Sequence, residues 1–184
     1  MLPSLQPPVF AALLIASFLP QHAQAWGDEG HRIIALIAEQ YLEPATRAEV
    51  NAMLSANHDS LTAHDIASEA TWADKYRDSD RSGARDLYQG TRQWHFVDIE
   101  VDSPNLEHAC HNHPRLPPGR PASRGPADAC IVDKIDQFEA ELANPETAPE
   151  ERLVALKFLL HLVATCTRRF TLPTVTTPAA IESR

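Results

Sequence analysis

Cysteine and positive charge are both scarce in this chain. The 184 residues contain three cysteines but nine histidines, so a metal site would draw on imidazole and carboxylate rather than on several thiolates. Surface histidines without a function are the equal alternative at this stage. Sixteen basic residues face 25 acidic ones, for a formal net charge of −9. That balance argues against a nucleic-acid binder that relies on bulk positive charge, but not against an enzyme that holds phosphates through bound metal ions.

Disordered and collagen-like classes are also excluded, because 43% of the residues are hydrophobic and 22% are charged, as in globular proteins. The length suits one domain with a sizeable core. No internal repeat is visible.

A long apolar run is missing as well. The main run, residues 9–19 (VFAALLIASFL), is too short to cross a bilayer as a helix. The small residues Ala23 and Ala25 follow it and form an Ala-x-Ala cleavage site before Trp26. The preceding residues MLPSLQPP contain no Lys or Arg. We interpret residues 1–25 as a signal peptide, and expect a secreted or periplasmic mature chain that begins with Trp26 and has no membrane span.

Two of the cysteines enclose a loop rich in Pro, Gly and Arg. A disulfide between Cys110 and Cys130 would constrain this loop in the unfolded chain, and the exported compartment would permit it. A zinc site built from Cys110, His108, His111 and His113 is the less favoured alternative, because the second cysteine is distant and has no paired ligand.

Apolar periodicity predicts a mainly α single domain. Asp65 is a candidate helix N-cap, and the helix that contains His161 is almost wholly apolar and therefore buried. The segment QWHFVDIEV alternates and predicts a strand or extended stretch over residues 93–101. Helices are predicted over residues 28–42, 46–55, 65–77, 130–142 and 151–163.

Several chemistry-bearing residues fall on apolar positions or at the starts of elements. Each has a structural explanation when taken alone: a histidine on an apolar face is usually a satisfied core residue, and Asp74 with Arg77 could be a helix-surface pair. Together they favour zinc, which binds histidine nitrogen and carboxylate oxygen converging from different elements. The residues are Trp26 and His31 in WGDEGH, Asp74 in TWADKYR, His95 and Asp98 in WHFVD, and His161 in FLLHLV.

The motifs WGDEGH, SEATWADKYR, WHFVDIE and ALKFLLHLV occur in this order over residues 26–163. In this order they resemble the zinc-dependent single-strand nuclease family of the mung bean nuclease type, within the zinc phospholipase C/nuclease superfamily. The resemblance implies a mostly helical fold with three zinc ions and endonucleolytic hydrolysis of phosphodiester bonds in single-stranded DNA or RNA. No stable protein partner is predicted. A phospholipase C-like phosphoesterase and a non-catalytic zinc-binding remnant are the alternatives.

The same resemblance assigns roles to individual residues. Trp26, through its free amine and carbonyl, and His31 would bind one zinc ion. Asp98 would orient the attacking water, and Arg77 would support it near the phosphate. A second zinc ion would be bound by Asp74, His95 and His161.

The family pattern is broken after Val163. The family continues from the helix histidine as H-x-x-x-D-x-x-x-x-x-H, but this chain has Thr165 and Thr171 at the second and third positions. The ligands of the third zinc ion are also absent. Reading the back-translated codons one base earlier permits Asp at position 165 and His at position 171.

We therefore predict a one-base frameshift near codon 164, with residues 164–184 as a non-native tail. Residues 26–163 would be the N-terminal part of the nuclease domain, with the C-terminal half missing. Such a chain would hold at most two half-formed zinc sites and would be weakly active or inactive.

Overall fold

The computed structural model describes residues 27–97, 99, 102, 104–105, 110 and 113–167. The predicted signal peptide, Trp26, Asp98 and residues 168–184 lie outside these residues. No strand occurs within the described ranges, and the predicted mainly α fold is confirmed. The helices are α1 (Asp28–Tyr41), α2 (Pro44–Ser55), α3 (Ile66–Glu69), α4 (Trp72–Asp78), α5 (Asp86–Thr91), α6 (Ile131–Ala143) and α7 (Pro149–Thr167), with 3₁₀ helices at Arg92–His95 and Ala122–Arg124.

Helix α7 is the centre of the fold, as its apolar sequence predicts. It packs against α6, α1, α4 and α3. Phe158 on α7 stacks on Phe138 with ring centroids 4.6 Å apart, and it makes T-shaped contacts with Trp94 and Trp72 at centroid distances of 5.5 and 5.3 Å. Burial of each such aromatic ring stabilises the fold by about 1.5–3 kcal/mol. In the part of the chain that the structure describes, no helix combines the length and apolarity that crossing a membrane would require.

The single helix predicted over residues 65–77 is two helices. Asp65 is the N-cap, as predicted, because its side chain accepts a hydrogen bond from the Ser68 backbone N–H at 2.9 Å. Helix α3 then ends at Glu69 and α4 begins at Trp72. The break leaves the Ala70 carbonyl at the end of a helix, where carbonyl groups have no hydrogen-bond donor within the helix and can accept from elsewhere.

The strand predicted over residues 93–101 is wrong at its start, where the chain forms the 3₁₀ helix Arg92–His95. Trp94 and His95 are consecutive and both buried, which a half-buried strand cannot achieve, because its successive side chains point to opposite faces. The backbone is extended at Phe96, whose carbonyl accepts a hydrogen bond from the Ile131 N–H at 3.0 Å, at the start of α6.

The predicted disulfide between Cys110 and Cys130 is confirmed, with the two Cα atoms 5.5 Å apart. The alternative zinc site is wrong for Cys110, since its sulfur is committed to the disulfide. His113 instead has its Nδ1 2.8 Å from an oxygen of Asp133. His108 and His111 lie outside the described residues.

Candidate metal centre

Three elements that are distant in sequence bring a carboxylate and two imidazoles together. Helix α4 supplies Asp74, the 3₁₀ helix supplies His95, and α7 supplies His161. One Asp74 carboxylate oxygen, Oδ1, lies 3.6 Å from His95 Nε2 and 3.7 Å from His161 Nε2. His95 and His161 are 4% and 1% exposed, whereas the Asp74 side chain is partly open to solvent. The cluster is therefore buried on the histidine side and accessible on the carboxylate side.

The other ring nitrogen of each histidine fixes its tautomer. His95 Nδ1 lies 3.0 Å from the Thr91 carbonyl and His161 Nδ1 lies 2.8 Å from the Ala70 carbonyl. Because a carbonyl oxygen only accepts, both Nδ1 atoms must carry the hydrogen, and the Nε2 lone pairs face Asp74. Metal-binding histidines are commonly held by a backbone carbonyl in this way.

His95 Nε2 gives a direct test of whether this residue set suits a metal ion. The atom is buried and has no hydrogen-bond partner, which costs free energy in a folded protein. A cation beside His95 and Asp74 would satisfy this nitrogen, and imidazoles with one carboxylate form a donor set that suits zinc. The ligand atoms that all lie within 4.8 Å of one another are those of His31, Asp74 and His161. The residues present fit the metal that the sequence predicts.

The protonation states are also those of metal ligands. Burial lowers the pKa of His161 to about 3, and burial likewise lowers the pKa of His95. The nearby Asp74 carboxylate acts in the opposite direction on both groups without overcoming burial. Both imidazoles are therefore neutral near pH 7, the form in which histidine binds metals.

His31 on α1 lies against the same cluster. Its ring stacks on His161 with centroids 4.2 Å apart, and one ligand atom from each of His31, Asp74 and His161 lies within 4.8 Å of the others. Its Nε2 is 3.0 Å from the Thr165 hydroxyl, which also donates to the His161 carbonyl at 3.0 Å. His31 Nδ1 lies 3.2 Å from the Gly27 carbonyl, so this imidazole too is anchored to a backbone carbonyl. Its Nε2 is then left with the Thr165 hydroxyl, whose single hydrogen cannot serve both acceptors at once. Trp26, its predicted co-ligand, lies outside the described residues.

Arg77 is positioned beside the predicted ligand carboxylate. Its Nη1 lies 2.6 Å from Asp74 Oδ1, while Nε and Nη2 donate to the two oxygens of Asp78 at 2.8 and 2.9 Å. Burial acts to lower the pKa of Arg77, but Asp78 and Asp74 outweigh burial and the pKa is raised. The guanidinium therefore stays charged. The sequence predicted both a helix-surface pair and a phosphate contact; the ion pair is present, and the phosphate contact stays a prediction.

Sequence reasoning missed the groups that hold the histidines in place. The Thr91 and Ala70 carbonyls carry no sequence signal, because every residue has a carbonyl. A second omission is Lys157, which lies four residues before His161 in an otherwise apolar stretch. A charged side chain in such a position requires a partner, and that requirement could have identified Lys157 as a structurally important residue.

A mainly α fold with two carbonyl-anchored histidines facing one aspartate defines a candidate metal centre. The S1/P1 Nuclease family model matches residues 26–166. The chain belongs to the S1/P1 nuclease family, as the sequence motifs predicted.

Three relatives illustrate the similarity. The chain is 28% identical over 161 residues to Endonuclease 4 of Arabidopsis thaliana, and this alignment covers 84% of the chain and 47% of the relative. It is 27% identical over 157 residues to Nuclease S1 of Aspergillus oryzae, an alignment that covers 85% of the chain and 46% of the relative. It is 24% identical over 148 residues to Nuclease P1 of Penicillium citrinum, with 78% of the chain and 46% of the relative covered. The chain therefore spans about half the length of the curated relatives it matches.

Proposed function

We propose that this chain is the metal-binding part of a zinc-dependent endonuclease that hydrolyses phosphodiester bonds in single-stranded DNA or RNA. The observation that supports it most is the buried, unpartnered Nε2 of His95, which faces the Asp74 carboxylate beside His161. The family and the names of the relatives favour a nuclease over the phospholipase C-like alternative.

Each residue has a chemical task in this proposal. Asp74, His95 and His161 would hold one zinc ion, and His31 lies close enough to join them or to bind a second ion with Trp26. Zinc supplies Lewis acidity and lowers the pKa of a bound water to about 7. Arg77 keeps its charge at the open edge of Asp74 and can donate to a phosphate oxygen while Asp78 holds its guanidinium. Asp98 is proposed to orient the attacking water.

Export is part of the proposal, because the amine of Trp26 becomes a ligand only after cleavage of residues 1–25. Removal of the signal peptide would then precede complete metal loading. Intact mass of the exported protein checks this step: a mature mass that begins at Trp26 is expected, and a mature mass beginning at any other residue would contradict it.

We expect the activity of this chain to be weak, and a non-catalytic zinc-binding protein is the second candidate. The observation that favours it is Thr165, a neutral residue whose hydroxyl touches His31 where the predicted family pattern has a carboxylate. The frameshift proposed near codon 164 would account for this threonine. Resequencing codons 160–184 tests it, since an additional base would restore the aspartate codon.

Metal content and hydrolysis, measured on the same preparation of the mature chain, test the proposed function. Native mass spectrometry after zinc loading is expected to show bound zinc that is lost in Asp74→Asn. Turnover of denatured DNA and of single-stranded RNA is expected to be low and abolished by a chelator. Zinc content unchanged by Asp74→Asn would refute the metal centre, and chelator-resistant hydrolysis would refute a zinc nuclease.

The same assay separates the alternatives. Zinc binding without hydrolysis of any substrate supports the non-catalytic candidate. Cleavage of a phosphocholine ester in preference to nucleic acid supports the phospholipase C-like one. Vigorous nuclease turnover by this chain would overturn the expectation of weak activity while leaving the centre intact.

A further inference from the structure

Lys157 is a buried lysine on α7, one helical turn before His161. It is 2% exposed, and its spacing of four residues places it on the same face of the helix as His161. An ammonium group is expensive to bury unless it is paired. Its partners therefore reveal what the residue holds together.

Lys157 forms a closed set of contacts with Asp59 and Trp72. Its Nζ donates to Asp59 Oδ2 at 2.5 Å and lies 3.9 Å from the centroid of the Trp72 ring. The Trp72 indole N–H donates to the same Asp59 oxygen at 2.7 Å. Burial acts to raise the pKa of Asp59, but the hydrogen bonds from Lys157, Leu61 and Trp72 outweigh it and the pKa is lowered. A cation over an indole and a shared carboxylate are directional contacts.

Glu69, the last residue of α3, completes this group. It is fully buried, with Oε2 3.9 Å from Lys157 Nζ and no hydrogen-bond partner for that oxygen. Its other oxygen accepts from Asn57 at 2.8 Å and from Thr62 at 2.7 Å. Lys157 thus faces two carboxylates, and we call Lys157, Asp59, Glu69 and Trp72 the Lys157 cluster.

The Lys157 cluster and the candidate metal centre both lie where α7 packs against the junction between α3 and α4. Glu69 and Trp72 flank Ala70, whose carbonyl holds His161 Nδ1 at 2.8 Å. Trp72 begins α4, two residues before Asp74. Lys157 and His161 lie one turn apart on α7. The contacts of the Lys157 cluster therefore join the helix that carries one ligand to the helix that carries another.

We propose, on the basis of the metal centre proposed above, that Lys157 is a positioning residue that fixes α7 against the α3–α4 junction and thereby sets the spacing between His161 and Asp74. Apolar packing alone tolerates small shifts between helices, because similar volumes can be repacked. A buried charge that is hydrogen-bonded to Asp59, faces Glu69 and lies over the Trp72 ring would favour one register, since a shift would leave the charge unpaired. Lys157 would then affect how tightly a metal is held without touching it.

Cobalt binding by the mature chain tests this role, with Co²⁺ alone as the probe. Lys157→Met removes the charge but keeps most of the side-chain volume. Lys134→Met is the matched control, because Lys134 is also buried, lies 4.0 Å from the centroid of the Trp94 ring, and belongs to α6, which supplies no predicted ligand. Titration calorimetry gives the Kd, the visible absorption band reports the ligand arrangement, and the thermal midpoint reports stability.

Lys157→Met is expected to weaken Co²⁺ binding by about 10-fold and to alter the absorption band. Lys134→Met should lower the thermal midpoint and leave the Kd within about 2-fold of the parent, well below that 10-fold effect. Lys157→Arg, which retains the charge, should recover part of the affinity. A parental Kd and band in Lys157→Met, or equal weakening in both methionine variants, would overturn the positioning role.

Trp72→Phe provides a second test of the positioning role if Lys157→Met does not fold. It retains an aromatic ring and deletes the indole N–H that meets Asp59, so a smaller loss of Co²⁺ affinity with an altered band is expected. A parental Kd and band would count against the role. Failure of the proposed function looks different: the parent chain and Asp74→Asn would then bind Co²⁺ with the same affinity.

Discussion

The two sides of the candidate metal centre are built differently. On the α4–α7 side, His95 and His161 are buried and each is anchored to a backbone carbonyl. On the α1 side, His31 is also buried and its Nδ1 lies 3.2 Å from the Gly27 carbonyl, but its Nε2 contacts a hydroxyl that another acceptor shares. The same helix exposes large apolar residues, including Ile37 at 50% and Tyr41 at 84%. The predicted ligands of the α4–α7 side all lie within the described residues, whereas Trp26, the predicted co-ligand of His31, does not. The difference shows that His95 and His161 are positioned by the central core, whereas His31 is carried by a helix with an exposed apolar face.

The largest expected effect contrasts the two sides by stability. Phe158→Ala removes the ring around which Phe138, Trp94 and Trp72 pack, and should lower the free energy of unfolding by about 3–5 kcal/mol. Ile37→Ala on α1 should change it by less than about 0.5 kcal/mol, as at exposed positions generally. Urea denaturation measures both. A cost above about 1.5 kcal/mol for Ile37→Ala would mean that the α1 face is covered, and the contrast would fail.

The next effect concerns metal affinity. His161→Ala should weaken zinc binding by more than about 100-fold, because it removes a ligand that is already oriented. His31→Ala should weaken it by about 10-fold or less, since His31 Nε2 must first give up its contact with the Thr165 hydroxyl. Titration calorimetry on folded variants, checked by circular dichroism, measures the ratio. Equal losses would show that the α1 side contributes as much as the core side.

A third prediction uses pH to probe the core side. Burial lowers the pKa of Lys134 to about 7, against opposing effects of Glu141 and Asp133. Because the unfolded lysine titrates near 10.5, the unfolded state binds more protons than the folded state between these values, and stability must rise with pH there. The Lys134 contribution should grow by about 2 kcal/mol from pH 7 to pH 9.

Lys134→Met provides the reference for that measurement. Subtracting its urea-derived free energies of unfolding from those of the parent isolates the lysine from other titrating groups. A difference that does not change between pH 7 and pH 9 would show that Lys134 keeps an ordinary pKa in the folded protein.

Much of the helical fold could be predicted because it depends on local pattern. The apolar spacing in α1, α6 and α7 predicted their positions to within a few residues, and Asp65 is the predicted cap. Helix α5 was missed, because its capping group is remote. Arg85 at its N-cap has a left-handed backbone with φ 64° and no capping hydrogen bond, while Asp80 accepts from the Leu87 and Tyr88 N–H groups at 2.8 and 3.1 Å.

The site was predictable in part for a related reason. His95, His161 and Asp74 were identified by residue type and order, and the structure brings them together. The helix break at Ala70 could not be predicted in this way, because the group that hydrogen-bonds to the Ala70 carbonyl is His161, 91 positions away. Contacts of this kind follow from tertiary packing and leave no period in the sequence. The 3₁₀ helix at Arg92–His95 escaped prediction for the same reason.

The smallest expected effect tests whether Thr165 holds His31 away from a metal. Its hydroxyl lies 3.0 Å from His31 Nε2, and a hydrogen bond of this type contributes about 0.5–1.5 kcal/mol. If His31 must give up this contact to bind zinc, Thr165→Val should raise zinc affinity by about 2- to 10-fold. Thr167→Val is the matched control, because the Thr167 hydroxyl donates to the Ala164 carbonyl and not to a predicted ligand. Unchanged affinity in Thr165→Val, or an equal rise in both variants, would show that His31 is not a ligand in this chain, and the α1 side would then be a wall of the centre rather than half of it.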